Sequence, residues 1–295
     1  MTTTILYGNG VNLLRGGKTW TGILKEISQS GYLPPIKDNT LLYEYIMLPK
    51  DQKTYLVLRD CFGRQLIDVE GKQFRVCEIT EEYLKEKLCK KLLAEPSWFY
   101  DELVKMNADN YLTTNYETYL NQKYEDKHIV EFKDDSSKES ILLYNHEYTI
   151  KNGKKTCFWN IHGSVNTPST ILLGLHEYCK YVVAINDIIH KDSESWVNLF
   201  FNTNVHIIGF GLGYEETDLW YILTTRKRRM KEKGDVNNEI FFYAIKDSSY
   251  DIAKNKLLEA AGVKVIDIDF SWGDNEYDAA YSQICNEFNI LRQNE

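Results

Sequence analysis

Short apolar runs and amphipathic stretches of helical length take turns along the last third of the chain. VHIIGF from Val205, EIFFYAI from Glu239 and VKVIDIDF from Val263 read as buried strands, with helices predicted over 218–232, 250–261 and 277–291. Near-continuous apolar runs mark strands covered on both faces. Their alternation with helices implies right-handed crossovers in a mostly parallel sheet. The N-terminus repeats the pattern: TTILY at 3–7 predicts a strand that runs into the glycine-rich YGNGVN. A further short strand, DNYLTTN at 109–115, precedes a helix predicted over 116–124.

Between these parts the rhythm changes. Residues 31–106 lack repeated buried strands and carry helical patterns, above all EITEEYLKEKLCKKLLAEP, where Thr80 stands as a cap before two glutamates. This reads as a helical insertion. The polar segment 133–157 brackets ILLYNHEYTI with Asp-Asp-Ser-Ser and Asn-Gly turn signals and reads as a hairpin or flap. The fold expected is therefore α/β: a Rossmann-like, mostly parallel sheet with helices on both faces, forming one domain over 1–295 with these two additions. A length of 295 residues suits one main core with a sizeable insertion.

Charge narrows the partners. The formal net charge is −8, which argues against general affinity for nucleic-acid backbone or anionic lipid. The basic run RKRRMKEK at 226–233 reads as the solvated end of a helix rather than a DNA contact. The start, Met-Thr-Thr-Thr, has no basic region before an apolar one, and no apolar run approaches the ~20 residues of a membrane span, so a cytoplasmic protein is expected. The six cysteines include no C-x-x-C pair, and His146-Glu147 and His176-Glu177 lack the second histidine of a zinc-protease helix, so no metal is expected.

LYGNGVNLLRGGKT at 6–19 holds parts of two phosphate signatures. Gly17-Lys18-Thr19 ends like a P-loop, but Asn12 stands where its first glycine belongs. Gly8 and Gly10 begin a G-x-G-x-x-G turn, but Leu13 takes the third place. A second glycine turn, GFGLG at 209–213, also follows an apolar strand. Together with LTTNYE at 112–117 they sit at strand ends, where ligands bind in an open α/β sheet. FWNIHGSVN adds His162 at another strand end, and imidazole accepts a proton near neutral pH.

GNGVN, TTNYE, IHG and GFGLG, in this order and spacing, resemble the sirtuin-like NAD-binding family, and within it the bacterial sirtuin-like proteins that hydrolyse NAD in antiphage defence. The resemblance implies that Gly8, Asn9, Gly10 and Asn12 lie against the pyrophosphate. It implies that Asn115, with Thr114 beside it, holds the nicotinamide ribose or a water, and that His162 acts as base. Gly209, Gly211 and Gly213 would surround the adenosine half. The GGKT ending is then incidental. Glu117 stands where the family has an aspartate, and no four-cysteine zinc module is present. Both departures point away from protein deacylation and toward cleavage of NAD to nicotinamide and ADP-ribose.

The readings set against NAD hydrolysis are a non-catalytic sensor that binds NAD or ADP-ribose and, third, an NAD-dependent deacylase or ADP-ribosyltransferase. Unregulated NAD hydrolysis would kill its host. The resemblance therefore implies self-association into a homo-oligomer and a separate regulatory chain, such as a ring-forming NTPase or another sensor.

Overall fold

The computed structural model describes residues 1–14, 16, 19, 21–24, 36–47, 65–69, 72–76, 85, 95–131, 137–189, 191, 194–270 and 276–293. Gly17 and Lys18 of the P-loop-like ending, Cys61, Cys77 and Cys89, and most of the helix expected over 78–96 with its Thr80 cap lie outside them.

The strands are β1 (Thr3–Tyr7), β2 (Gln65–Val69), β3 (Lys72–Val76), β4 (Asn110–Thr113), β5 (His128–Val130), β6 (His146–Lys151), β7 (Lys154–Asn160), β8 (Asn204–Ile208), β9 (Ile240–Ile245) and β10 (Lys264–Ile268). The helices are α1 (Gly10–Leu13), α2 (Asn39–Met47), α3 (Phe99–Met106), α4 (Tyr119–Gln122), α5 (Lys138–Tyr144), α6 (Leu175–Ile189), α7 (Leu199–Asn202), α8 (Thr217–Glu232), α9 (Ile252–Ala260) and α10 (Glu276–Gln293). Eight strands form one sheet in the order β10-β9-β8-β1-β4-β7-β6-β5. From β10 to β7 every neighbouring pair is parallel. β6 and β5 add an antiparallel edge.

This is the α/β, Rossmann-like arrangement expected from the apolar rhythm. Successive side chains of a strand face opposite sides of the sheet, and here both sides are covered. Leu6, Leu112, Trp159, Ile207 and Phe242 pack into one apolar cluster with residues of α6 and α8. Their immediate neighbours Ile5, Tyr7, Tyr111, Phe158, Phe241 and Tyr243 pack into a second, with residues of α3 and α10. The chain steps from β1 outward to β4 and β7, then returns to the other side of β1 for β8, β9 and β10. That reversal leaves a crevice beyond the carboxyl ends of β1 and β8.

The hairpin expected within 133–157 is β6–β7, closed by Asn152 (φ 53°) and Gly153 (φ 80°), a turn that suits the twist of paired strands. It widens the main sheet. The ILLY ahead of it is helical, because Ser137 caps α5 by accepting from the Ser140 amide at 3.2 Å. Within 31–106 the described residues include α2, an antiparallel β2–β3 ribbon and α3. α3 is a layer of the main core: Phe99 packs edge-on against Tyr281 of α10 at 4.8 Å, and Trp98 donates to Asp278 at 2.6 Å.

The basic run ends α8, as expected, but Arg226 is buried there. Its guanidinium donates to Asn238, and burial lowers its pKa to about 10. Among the described residues no helix is long and apolar enough to cross a membrane.

Candidate functional site

β1 and β8 each end in a glycine turn, and the two turns bind each other. The Gly8 amide donates to Ile208 O at 3.2 Å and the Gly10 amide to Gly209 O at 2.7 Å. A Cβ on Gly10 would lie 2.6 Å from both Gly209 O and the Tyr281 hydroxyl, so only glycine permits this approach. Gly209 adds φ +59°. Gly10→Ala is therefore expected to cost about 1–3 kcal/mol of stability through overpacking and to weaken nucleotide binding in parallel. Denaturant unfolding and titration with ADP-ribose would measure both, and an alanine variant with the wild-type midpoint would overturn the close-approach account.

Beside the turns lies a buried polar network centred on Glu117, which is 4% exposed. Its Oε1 accepts from Asn115 Nδ2 at 2.9 Å and from the Tyr100 hydroxyl at 2.6 Å, and its Oε2 accepts from the Tyr119 amide at 3.0 Å. The Tyr100 hydroxyl also faces Asn12 Oδ1 at 2.8 Å, and Asn12 Nδ2 donates to Asn9 Oδ1 at 3.1 Å. Burial raises the Glu117 pKa against these hydrogen bonds, which favour the anion. The Asn115 amide is fixed from several sides. Its N–H donates to Thr113 Oγ1 at 3.0 Å, and Asn160 Nδ2 donates to its carbonyl at 3.2 Å. These roles for Glu117 and Asn115 also explain why the helix expected from 116 starts only at Tyr119.

His162, 2% exposed, follows β7. Its Nε2 lies 2.8 Å from Asp218 Oδ2 and its Nδ1 3.2 Å from the Tyr178 hydroxyl, with Glu216 Oε2 at 3.9 Å. Burial alone would lower its pKa, but the charges of Asp218 and Glu216 outweigh it and raise the value. The same burial pushes Glu216 up to about 8. Among the described residues, His162, Glu216 and Asp218 are the group whose ligand atoms lie close enough to share a cation, all within 4.8 Å. The direct His162–Asp218 hydrogen bond engages Oδ2 of Asp218, while Asp218 Oδ1 and Glu216 Oε2 are buried without a hydrogen-bond partner.

A cavity of about 540 Å³ joins these parts. It runs from Asn115 and His162, across both glycine turns, to Asp247, Tyr250 and Tyr277 beyond β9. Among its described lining residues Lys254 is the only lysine or arginine. Its ammonium donates to Gly211 O at 2.5 Å, and burial lowers its pKa.

Of the residues expected in the site, Asn9, Gly10, Asn12, Thr114, Asn115, His162, Gly209, Gly211 and Gly213 line the cavity. Gly8 does not: it sits behind the wall, where a Cβ would strike Phe210. The sequence reading missed Tyr100, Tyr178, Glu216, Asp218, Asp247 and Lys254. Asp218 stood in view just past GFGLG, but nothing local marks it as the partner of a histidine 56 positions away.

The crevice at the strand reversal, its paired glycine turns and its polar walls define a Rossmann-like nucleotide site. A family model for the SIR2-like domain matches residues 109–266, just over half of the chain, so the protein belongs to the SIR2-like family, whose domains use NAD. No curated protein matches it in sequence.

Proposed function

We propose that the protein is an NAD hydrolase that cleaves the nicotinamide–ribose bond and releases nicotinamide and ADP-ribose. The observation that carries this reading is that Asn115 and His162, both fixed by buried carboxylates, face the same cavity as the paired glycine turns. Cleavage develops oxocarbenium-like charge on the ribose, much as glycoside hydrolysis does, and nicotinamide leaves readily. Asn115 positions the ribose or the attacking water. His162 accepts a proton at Nδ1, the nitrogen that faces the Tyr178 hydroxyl, since Asp218 holds Nε2, and the pyrophosphate lies along the glycine turns.

The biological role that fits is NAD depletion in bacterial antiphage defence, by a homo-oligomer in the cytoplasm under the control of a separate regulatory protein. The test is nicotinamide release from NAD by the purified protein. Because His162 must be neutral to act and the charges of Asp218 and Glu216 raise its pKa, kcat/KM is expected to go on rising with pH over a window above the ordinary histidine value of 6.5. A profile flat across that window would remove His162 as the base. Absence of release under every condition, with ADP-ribose still bound, would leave a binding protein.

A non-catalytic NAD or ADP-ribose sensor is the second reading. It draws support from the His162 ring, which is almost fully buried and engaged at both nitrogens.

A further inference from the structure

We infer that Tyr100 is a positioning residue for the cleavage: by donating to Glu117 it holds the Asn115 amide with its oxygen turned to the cavity. The inference rests on the hydrolase reading above and adds to it a residue of α3 that is not among those lining the cavity.

Asn115 serves the reaction in only one orientation of its side chain. The oxygen end of an amide accepts from a ribose hydroxyl or a water and favours the positive charge that develops on the ribose; the nitrogen end does neither. Rotation by half a turn exchanges the two ends at little steric cost. The Glu117 carboxylate decides between them. When ionised it only accepts, so it takes Asn115 Nδ2 at 2.9 Å and leaves Oδ1 for the ligand. A protonated Glu117 donates as well as accepts, and the orientation is no longer set.

Tyr100 keeps Glu117 an acceptor and keeps it in place. Its hydroxyl reaches the same oxygen that holds Asn115, Glu117 Oε1, at 2.6 Å, while Oε2 is tied to the Tyr119 amide at 3.0 Å. Burial pushes the Glu117 carboxyl toward its neutral form, and the Tyr100 bond is the largest of the hydrogen-bond effects that oppose it. The hydroxyl also faces Asn12 Oδ1 at 2.8 Å, but it has one proton, and a charged acceptor binds that proton more strongly than an amide. Tyr100 is itself fixed. It is fully buried and meets Tyr7 edge-on at 6.0 Å and Tyr119 at 5.6 Å. Burial and the Glu117 charge raise its own pKa, so the phenol stays a donor.

The test is a double-mutant cycle on nicotinamide release and ADP-ribose binding, with wild type, Tyr100→Phe, Asn115→Ala and the double variant. Tyr100→Phe keeps the ring and removes the donor. It is expected to lower kcat by about ten- to a hundredfold, the range of a hydrogen bond to a charged group, while ADP-ribose affinity stays within a few-fold. In the Asn115→Ala background the same substitution should cost no more than a few-fold, because the group it acts through is gone. Should Tyr100→Phe fail to fold, Glu117→Gln takes its place in the cycle: it keeps the size of the side chain, removes the obligate acceptor and is expected to give the same pair of results. Wild-type kcat in the substituted protein, or an equal loss in both backgrounds, would overturn the inference alone. A wild type that binds ADP-ribose and releases no nicotinamide under any condition would overturn the hydrolase reading, and the positioning role with it.

Discussion

Asn115→Ala is expected to lower nicotinamide release by on the order of a hundredfold or more while the protein stays folded, since misplacing a reacting group by about 1 Å costs this much. The substitution removes one donor to Glu117 and leaves the Tyr100 hydroxyl and the Tyr119 amide in place, so the buried carboxyl keeps partners. The backbone bonds at this position, from Asn115 N to Thr113 Oγ1 and from Asn160 Nδ2 to Asn115 O, do not involve the lost side chain. Steady-state kinetics beside ADP-ribose titration separates the roles: a fall in kcat with binding retained marks positioning, whereas wild-type kcat would remove Asn115 from the mechanism.

His162→Ala is expected to act on both rate and stability. Loss of a positioned base lowers turnover by about a hundred- to ten-thousandfold. It also leaves the Asp218 carboxylate, 0% exposed, without its imidazole partner, and breaking a buried pair from one side costs about 3–5 kcal/mol. Adding Asp218→Asn should return part of that loss, because a neutral amide needs no cation. Urea unfolding of the two single variants and the double variant measures the coupling. If His162→Ala unfolds at the wild-type midpoint, the pair is not the buried charge partnership described here.

The pH dependence has a definite sign. A histidine whose folded pKa is raised contributes stability that is complete below its unfolded value of about 6.5 and fades as pH climbs through the folded value. His162 should thus give up stability over the same range in which the rate rises.

The parallel sheet was readable because burial on both faces writes itself as unbroken apolar runs. Thr3–Tyr7 was legible to the residue, and the boundaries of α8, α9 and α10 to within two positions. α5 was not, since ILLY suits either a strand or a helix and the Ser137 cap decides between them. Asn115 and His162 were visible as polar residues at strand ends. Their partners were not: Tyr100 reaches Glu117 from a helix read as part of an insertion, and Asp218 reaches His162 across two strands of the sheet order. Pairings between remote positions leave no local spacing to find. Gly8 illustrates the opposite error, a motif position whose glycine serves packing against Phe210 rather than the cavity.

The central place of β1 also bears on how the chain folds during synthesis. Thr3 pairs with Asn204 and Tyr7 with Ile208, so β1 must wait for the last third of the chain before its second neighbour exists. Until then the Gly10 amide lacks the Gly209 carbonyl that fixes its turn. Contacts of such long sequence separation form late and slowly. A ribosome-bound or truncated chain short of β8 consequently carries Asn115 and His162 but no closed nucleotide cleft, so the cleft is a property of the chain only once β8 and its glycine turn have been made.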